Sequence, residues 1–202
     1  DFNGPYLDES DYLYVSRLLE AKQPWKTYTY IFSSHLPLHV LGFGERLGGL
    51  LGARLLAGAL GLASLGFCFG AARALFVSRR AAGFATLLVL VAAPHIFISK
   101  FATYDVIAFF FFSLSLWLLF AGLCSARYGW LLLALASVAF AAAVLSKYVV
   151  VVYAPLLALA VAVRRPRLLP FALLPCAGLL AEYLVRHWAD LKQLYQIQIV
   201  GA

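Results

Sequence analysis

The chain has 202 residues, of which 64% are hydrophobic and only 12% charged, with a mean hydropathy of +0.89. A soluble domain carries about twice that share of charge, so the composition is that of an integral membrane protein. The net charge of +7 is then no nucleic-acid footprint, because basic residues of membrane proteins gather in cytoplasmic loops and set topology.

In chain order, residues 1–48 come first and differ in kind from the rest. They are too polar to span a bilayer and too aromatic for a linker. The stretch SDYLYVSRLLEAK has apolar residues at 12, 15, 18 and 19 and polar ones at 10, 11, 17 and 20. That spacing predicts an amphipathic helix lying along the membrane surface. Pro24 is expected to end it, and Trp25, Tyr28, Tyr30 and Phe32 suit the interface. Three of the nine acidic residues, Asp8, Glu9 and Asp11, crowd its start. Asp8 can cap the helix and Glu9 can complement its dipole. Alternatively, a carboxylate here stands at the mouth of a membrane cavity as a general base or a cation ligand.

Six candidate spans follow, at 55–72, 81–99, 106–126, 128–146, 148–163 and 168–185, the last interrupted by Glu182. Each is predicted to be helical, since a lone strand would leave its backbone polar groups unsatisfied in lipid. Domain limits are set at 1–48 for the loop, 49–185 for the bundle and 186–202 for a tail. Glycines in GERLGGLLGARLLAGALG recur at small-xxx-small spacing and suit close helix packing. The loops are short, so successive helices are expected to run antiparallel. Alternate loops carry Arg79 and Arg80, then Arg127, then Arg164, Arg165 and Arg167. The positive-inside rule assigns that side to the cytoplasm. Asp8, Glu9, Asp105 and Lys147 therefore share the opposite face.

Lys147 separates two apolar runs of 16 or 17 residues. One continuous helix would bury it at mid-membrane at a cost of at least about 2.5–3.5 kcal/mol, so two short helices with Lys147 near the face are expected. There it either snorkels to the interface or meets a phosphate as a point charge. Asp105 either caps the following helix or serves the same cavity. His35 and His39 are four apart, but Pro37 lies between them and no Glu motif accompanies them, which argues against a metal site. Cys68, Cys124 and Cys176 are widely spaced and define neither a disulfide framework nor a zinc site. The absence of methionine and the polar start predict a span upstream of Asp1, with more helices expected after Ala202.

Taken in order, these residues resemble the membrane glycosyltransferases of the C-type (GT-C) fold, in particular bacterial relatives of protein O-mannosyltransferases and lipid A aminoarabinose transferases. Asp8-Glu9-Ser10-Asp11-Tyr12 is similar to that family's Asp-Glu-x-x-Tyr motif. His35-Leu36-Pro37-Leu38 follows, although it lacks the family's double proline. Gly44-Glu45-Arg46 with Arg54, Ala102-Thr103-Tyr104-Asp105, and the break Ala142 to Tyr148 complete the set. The chain would hold about seven family helices, counting the one expected upstream; the remaining helices and any soluble domain lie outside it.

The resemblance implies an all-α polytopic bundle in the bacterial inner membrane, with the active-site loop on the periplasmic side. It implies an inverting sugar transfer from a polyprenyl-phosphate donor to a hydroxyl acceptor. Asp8 would be the catalytic carboxylate and Asp105 its assistant, with a divalent cation between them where one is used. Lys147, Arg54 and His35 would contact the donor phosphate, and Glu9, Tyr12 and Tyr148 would complete the substrate site. Two other readings stand beside it: a non-catalytic scaffold subunit of a larger membrane complex, and a transporter. The second is weak, because the spans hold almost no ionisable residues to line a path.

Overall fold

A computed structural model describes residues 7–21 and 34–188. All regular structure among them is helical: α1 (Leu7–Glu20), α2 (His35–Phe76), α3 (Arg79–Val91), α4 (Ala93–Lys100), α5 (Tyr104–Cys124), α6 (Gly129–Ser146), α7 (Ala154–Arg164) and α8 (Leu169–Arg186). Two 3₁₀ segments, Tyr148–Tyr153 and Pro166–Leu168, precede α7 and α8.

Among the described residues four helices are long and apolar enough to cross a membrane, and the count is five if α3 and α4, bent by 62° at their junction, are taken as one span. Six spans were expected. The one expected at 148–163 is here Tyr148–Arg164, with only 17 residues, which is short for a helix crossing. Its first six residues are 3₁₀, however, with a longer rise per residue, so the segment still extends about 28 Å, close to the ~30 Å hydrocarbon thickness.

The polar stretch before the first span is partly helical. α2 begins at His35 and folds sharply at Gly48 and Gly49, where φ of Gly49 is +61°. A left-handed residue there needs glycine. Residues 35–47 thus fold back on 50–76, and Gly44 packs against Ala53 and Gly52 across the bend. Beyond it, Ala53, Ala57, Gly61 and Ser64 form a buried stripe of small residues, with Gly58 and Gly61 facing Ser99 of α4. The small-residue spacing read from the sequence is this packing face.

α5 is central, with α2 on one side and α6 on the other, and α8 packs on α6. Polar groups are retired locally. Ser115 Oγ donates to the Ala136 carbonyl at 2.8 Å. Pro175 interrupts α8, and the neighbouring Cys176 N–H turns to Ser137 Oγ of α6 at 2.9 Å, the kind of repair that lets a proline persist in a membrane helix.

α1 buries Glu9, Tyr12, Leu13, Val15 and Ser16, and its core partners include Leu38 and Leu41 of α2 and Val106 and Ile107 of α5. Its apolar face therefore meets protein. Ser16 Oγ donates to the Leu38 carbonyl, and Arg17 pairs with Glu45. That carboxylate holds the Arg17 guanidinium above its ordinary pKa, chiefly through the hydrogen bond. Arg46 lies 3.4 Å from Glu20. The helix ends at Glu20; Pro24 and the interfacial aromatics up to Phe32 lie outside the described residues.

Candidate active site

Two ends of the bundle differ in charge. Arg73, Arg79, Arg80, Arg127, Arg164, Arg165 and Arg167 stand at one end, where Cys124 of α5 meets the Ala74 carbonyl and Arg165 meets the Ser125 carbonyl. α1, the 101–103 loop and the α6 end gather at the other. This alternation is the one the loop charges predict.

Glu9 organises the second end. Its side chain is fully enclosed, and Arg54 of α2 is 22% exposed. Arg54 Nη2 donates to Glu9 Oε2 at 2.8 Å and Nε donates to Oε1 at 3.1 Å. The Ala102 backbone N–H donates to Oε1 at 2.9 Å. One carboxylate thus ties α1, α2 and the loop before α5. The Arg54 guanidinium also lies 5.9 Å from the Phe101 ring centre. Burying a charge is costly unless it is paired and hydrogen-bonded, and this one is both.

Asp105, in the first turn of α5, is ion-paired with Lys147. Lys147 has extended backbone between α6 and the 3₁₀ turn, so it stands at a break between two helical segments and not inside one helix. Its ammonium sits 5.2 Å from the Tyr104 ring centre, and Tyr12 packs edge-on against Tyr104 at 4.9 Å. Tyr104, which sequence reasoning did not single out, therefore links α1 to Lys147; its position just before Asp105 was the only signal. Lys147 remains 37% and Asp105 31% exposed, so this pair, unlike Glu9–Arg54, is reachable. Tyr148 follows it and is half-exposed.

His35 opens α2, and the Ser34 N–H donates to the Leu145 carbonyl at 2.6 Å. That bond sets His35 beside the end of α6, two residues ahead of Lys147; the His187 ring lies 5.9 Å from it. Asp8 lies in the first turn of α1, and its side chain is outside the described residues. Its neighbour Glu9 reaches Ala102, which brings this part of α1 to the start of α5 and hence to Asp105.

A divalent cation was expected to suit Asp8 and Asp105. Asp105 already bears an ammonium, and no cluster of three His, Cys, Asp or Glu side chains occurs among the described residues. The Asp8 side chain, on which that expectation also rests, lies outside the described residues.

A cavity of about 340 Å³ lies between α5, α6, α7 and α8, and neither Asp105 nor Lys147 lines it. Phe140, Val151, Ala154, Leu157, Cys176 and Leu180 are among its walls, and Val151 is only four residues past Lys147.

The sequence model of the family described as dolichyl-phosphate-mannose-protein mannosyltransferase matches residues 48–188, well over half of the chain. The chain belongs to this mannosyltransferase family. Its members are membrane glycosyltransferases of the GT-C type, which accords with the all-helical bundle. The mannosyltransferase match includes Arg54, Asp105, Lys147 and Tyr148 and begins after Asp8, Glu9, Tyr12 and His35. No curated protein and no solved structure matches the chain significantly.

Proposed function

We propose that this protein transfers a sugar, mannose by family, from a polyprenyl-phosphate donor to a hydroxyl acceptor on the non-cytoplasmic face. The observation that carries the proposal is the reachable Lys147 ammonium, ion-paired with Asp105, in a bundle whose apolar cavity is walled in part by Val151, four residues further along the chain. A lipid-linked phosphate needs those two surroundings together: a cation for its head and a hydrocarbon slot for its tail.

In the proposed reaction the acceptor oxygen attacks the anomeric carbon from the face opposite the phosphate. Asp8 takes the acceptor proton as general base. The anomeric carbon–oxygen bond breaks, and its electron pair leaves on the lipid monophosphate. Lys147 stabilises that developing charge, which is where preorganised electrostatics contribute most. Asp105 positions Lys147, and Tyr104 supports the ammonium from one side. Glu9 and Arg54 act as positioning residues: their clamp fixes Asp8 relative to α5. Tyr12, His35 and Tyr148 complete the pocket rim.

The test is sugar transfer from a polyprenyl-phosphate mannose in the purified protein. Lys147→Gln is expected to lower kcat/KM by about 10²–10³-fold while thermal stability stays near wild type. Unchanged transfer in that variant would remove Lys147 from the mechanism, and a folded wild-type protein without transfer would favour the scaffold reading.

A further inference from the structure

The arginine end of the bundle holds a second cavity, of about 440 Å³, lined by Gly129, Trp130, Arg164, Arg165 and Arg167 among others. Nothing in the proposed transfer uses it. The surrounding chemistry is one-sided. Every acidic side chain among the described residues belongs to α1, to residues 35–47 of α2, to the start of α5 or to the last turns of α8, so none neighbours these arginines.

We infer that this cavity binds the phosphodiester headgroup of an anionic phospholipid. Arg165 is half-buried and fixed by donating Nη1–H to the Ser125 carbonyl at 2.9 Å; a guanidinium has five donors, so the fork keeps others for a phosphate. Arg164 and Arg167 are exposed beside it. The 18-residue helix α6 starts at the cavity wall with Gly129, and its N-cap, Tyr128, makes no side-chain capping bond. Its first-turn N–H groups therefore add positive potential at the same place. These features select a phosphate oxyanion.

Location selects a lipid over a free anion. Trp130 and Tyr128 are about half exposed, the Arg127 guanidinium stacks 5.1 Å from the Tyr128 ring centre, and apolar side chains such as Leu159, Val163 and Phe171 are exposed next to the cavity. Aromatic rings and arginines at the ends of apolar spans mark the headgroup level, and basic pockets between membrane helices on the cytoplasmic side suit anionic headgroups. Acyl chains would lie along the exposed faces of α7 and α8.

Native mass spectrometry of the whole protein in detergent, titrated with phosphatidylglycerol or phosphatidylcholine, tests this. Preferential retention of phosphatidylglycerol is expected. Arg164→Gln/Arg167→Gln, two exposed positions that leave the Ser125 contact intact, should weaken retention about tenfold. Arg79→Gln/Arg80→Gln, at the same end but outside the cavity, should change it less than about twofold. Equal retention of the two lipids, or equal loss in both double variants, would overturn the site. Displacement of the lipid by millimolar inorganic phosphate would show a free-anion site and overturn the lipid assignment.

Discussion

Asp8 and Glu9 are neighbours with nearly the same chemistry, yet a helix sends adjacent side chains about 100° apart. Glu9 falls on the stripe with Tyr12, Leu13 and Ser16 and is buried with them. The apolar spacing at 12, 15, 18 and 19 was readable, and Tyr12 and Val15 of it are buried; that a carboxylate would be buried beside them was not, because its partners Arg54 and the Ala102 N–H lie 45 and 93 residues away. Glu9→Ala should destabilise the protein by about 3 kcal/mol, since it strands a partly buried guanidinium and a buried N–H. Glu9→Gln should cost less, because its amide oxygen still accepts from Ala102. Thermal unfolding in detergent measures both; equal stability of Glu9→Ala and wild type would refute the clamp.

Among the elements, span positions were legible wherever an apolar run had charged or glycine-containing borders, as for α5 and α6. The fold within α2 was not. Its glycines read as packing residues, and several are, but Gly49 turns the chain with a left-handed conformation and no local pattern separates the two roles. A Cβ at Gly52 would collide with the Gly44 carbonyl oxygen, whereas one at Gly66 would meet nothing within 4 Å. Gly52→Ala is therefore expected to destabilise by about 1–3 kcal/mol, and Gly66→Ala to be neutral or stabilising by up to about 1 kcal/mol. Thermal unfolding of the two variants side by side checks the bend. The surface helix was similarly half legible: its amphipathic period is clear, but a period cannot say whether lipid or protein covers the apolar face.

For the whole molecule, charge asymmetry between alternate loops was enough to sort the ends, because each span simply reverses direction. It brought Asp105 and Lys147 to one face but could not pair them; that pairing depends on α5 lying along α6. The topology makes its own prediction. Cys124 is exposed at the arginine end. In intact cells of a Cys68→Ser/Cys176→Ser variant, a membrane-impermeant maleimide should leave Cys124 unlabelled until the membrane is permeabilised. Labelling before permeabilisation would invert the topology and with it the proposed face of the reaction.

In the proposed reaction Asp8, Asp105 and Lys147 form one transferase site. Its most direct test is the rate of sugar transfer from polyprenyl-phosphate mannose by Asp8→Asn, a near-isosteric change that removes the base. Transfer is expected to fall by about 10²–10⁴-fold in a protein whose unfolding temperature matches wild type. Transfer at the wild-type rate by the folded variant would contradict it.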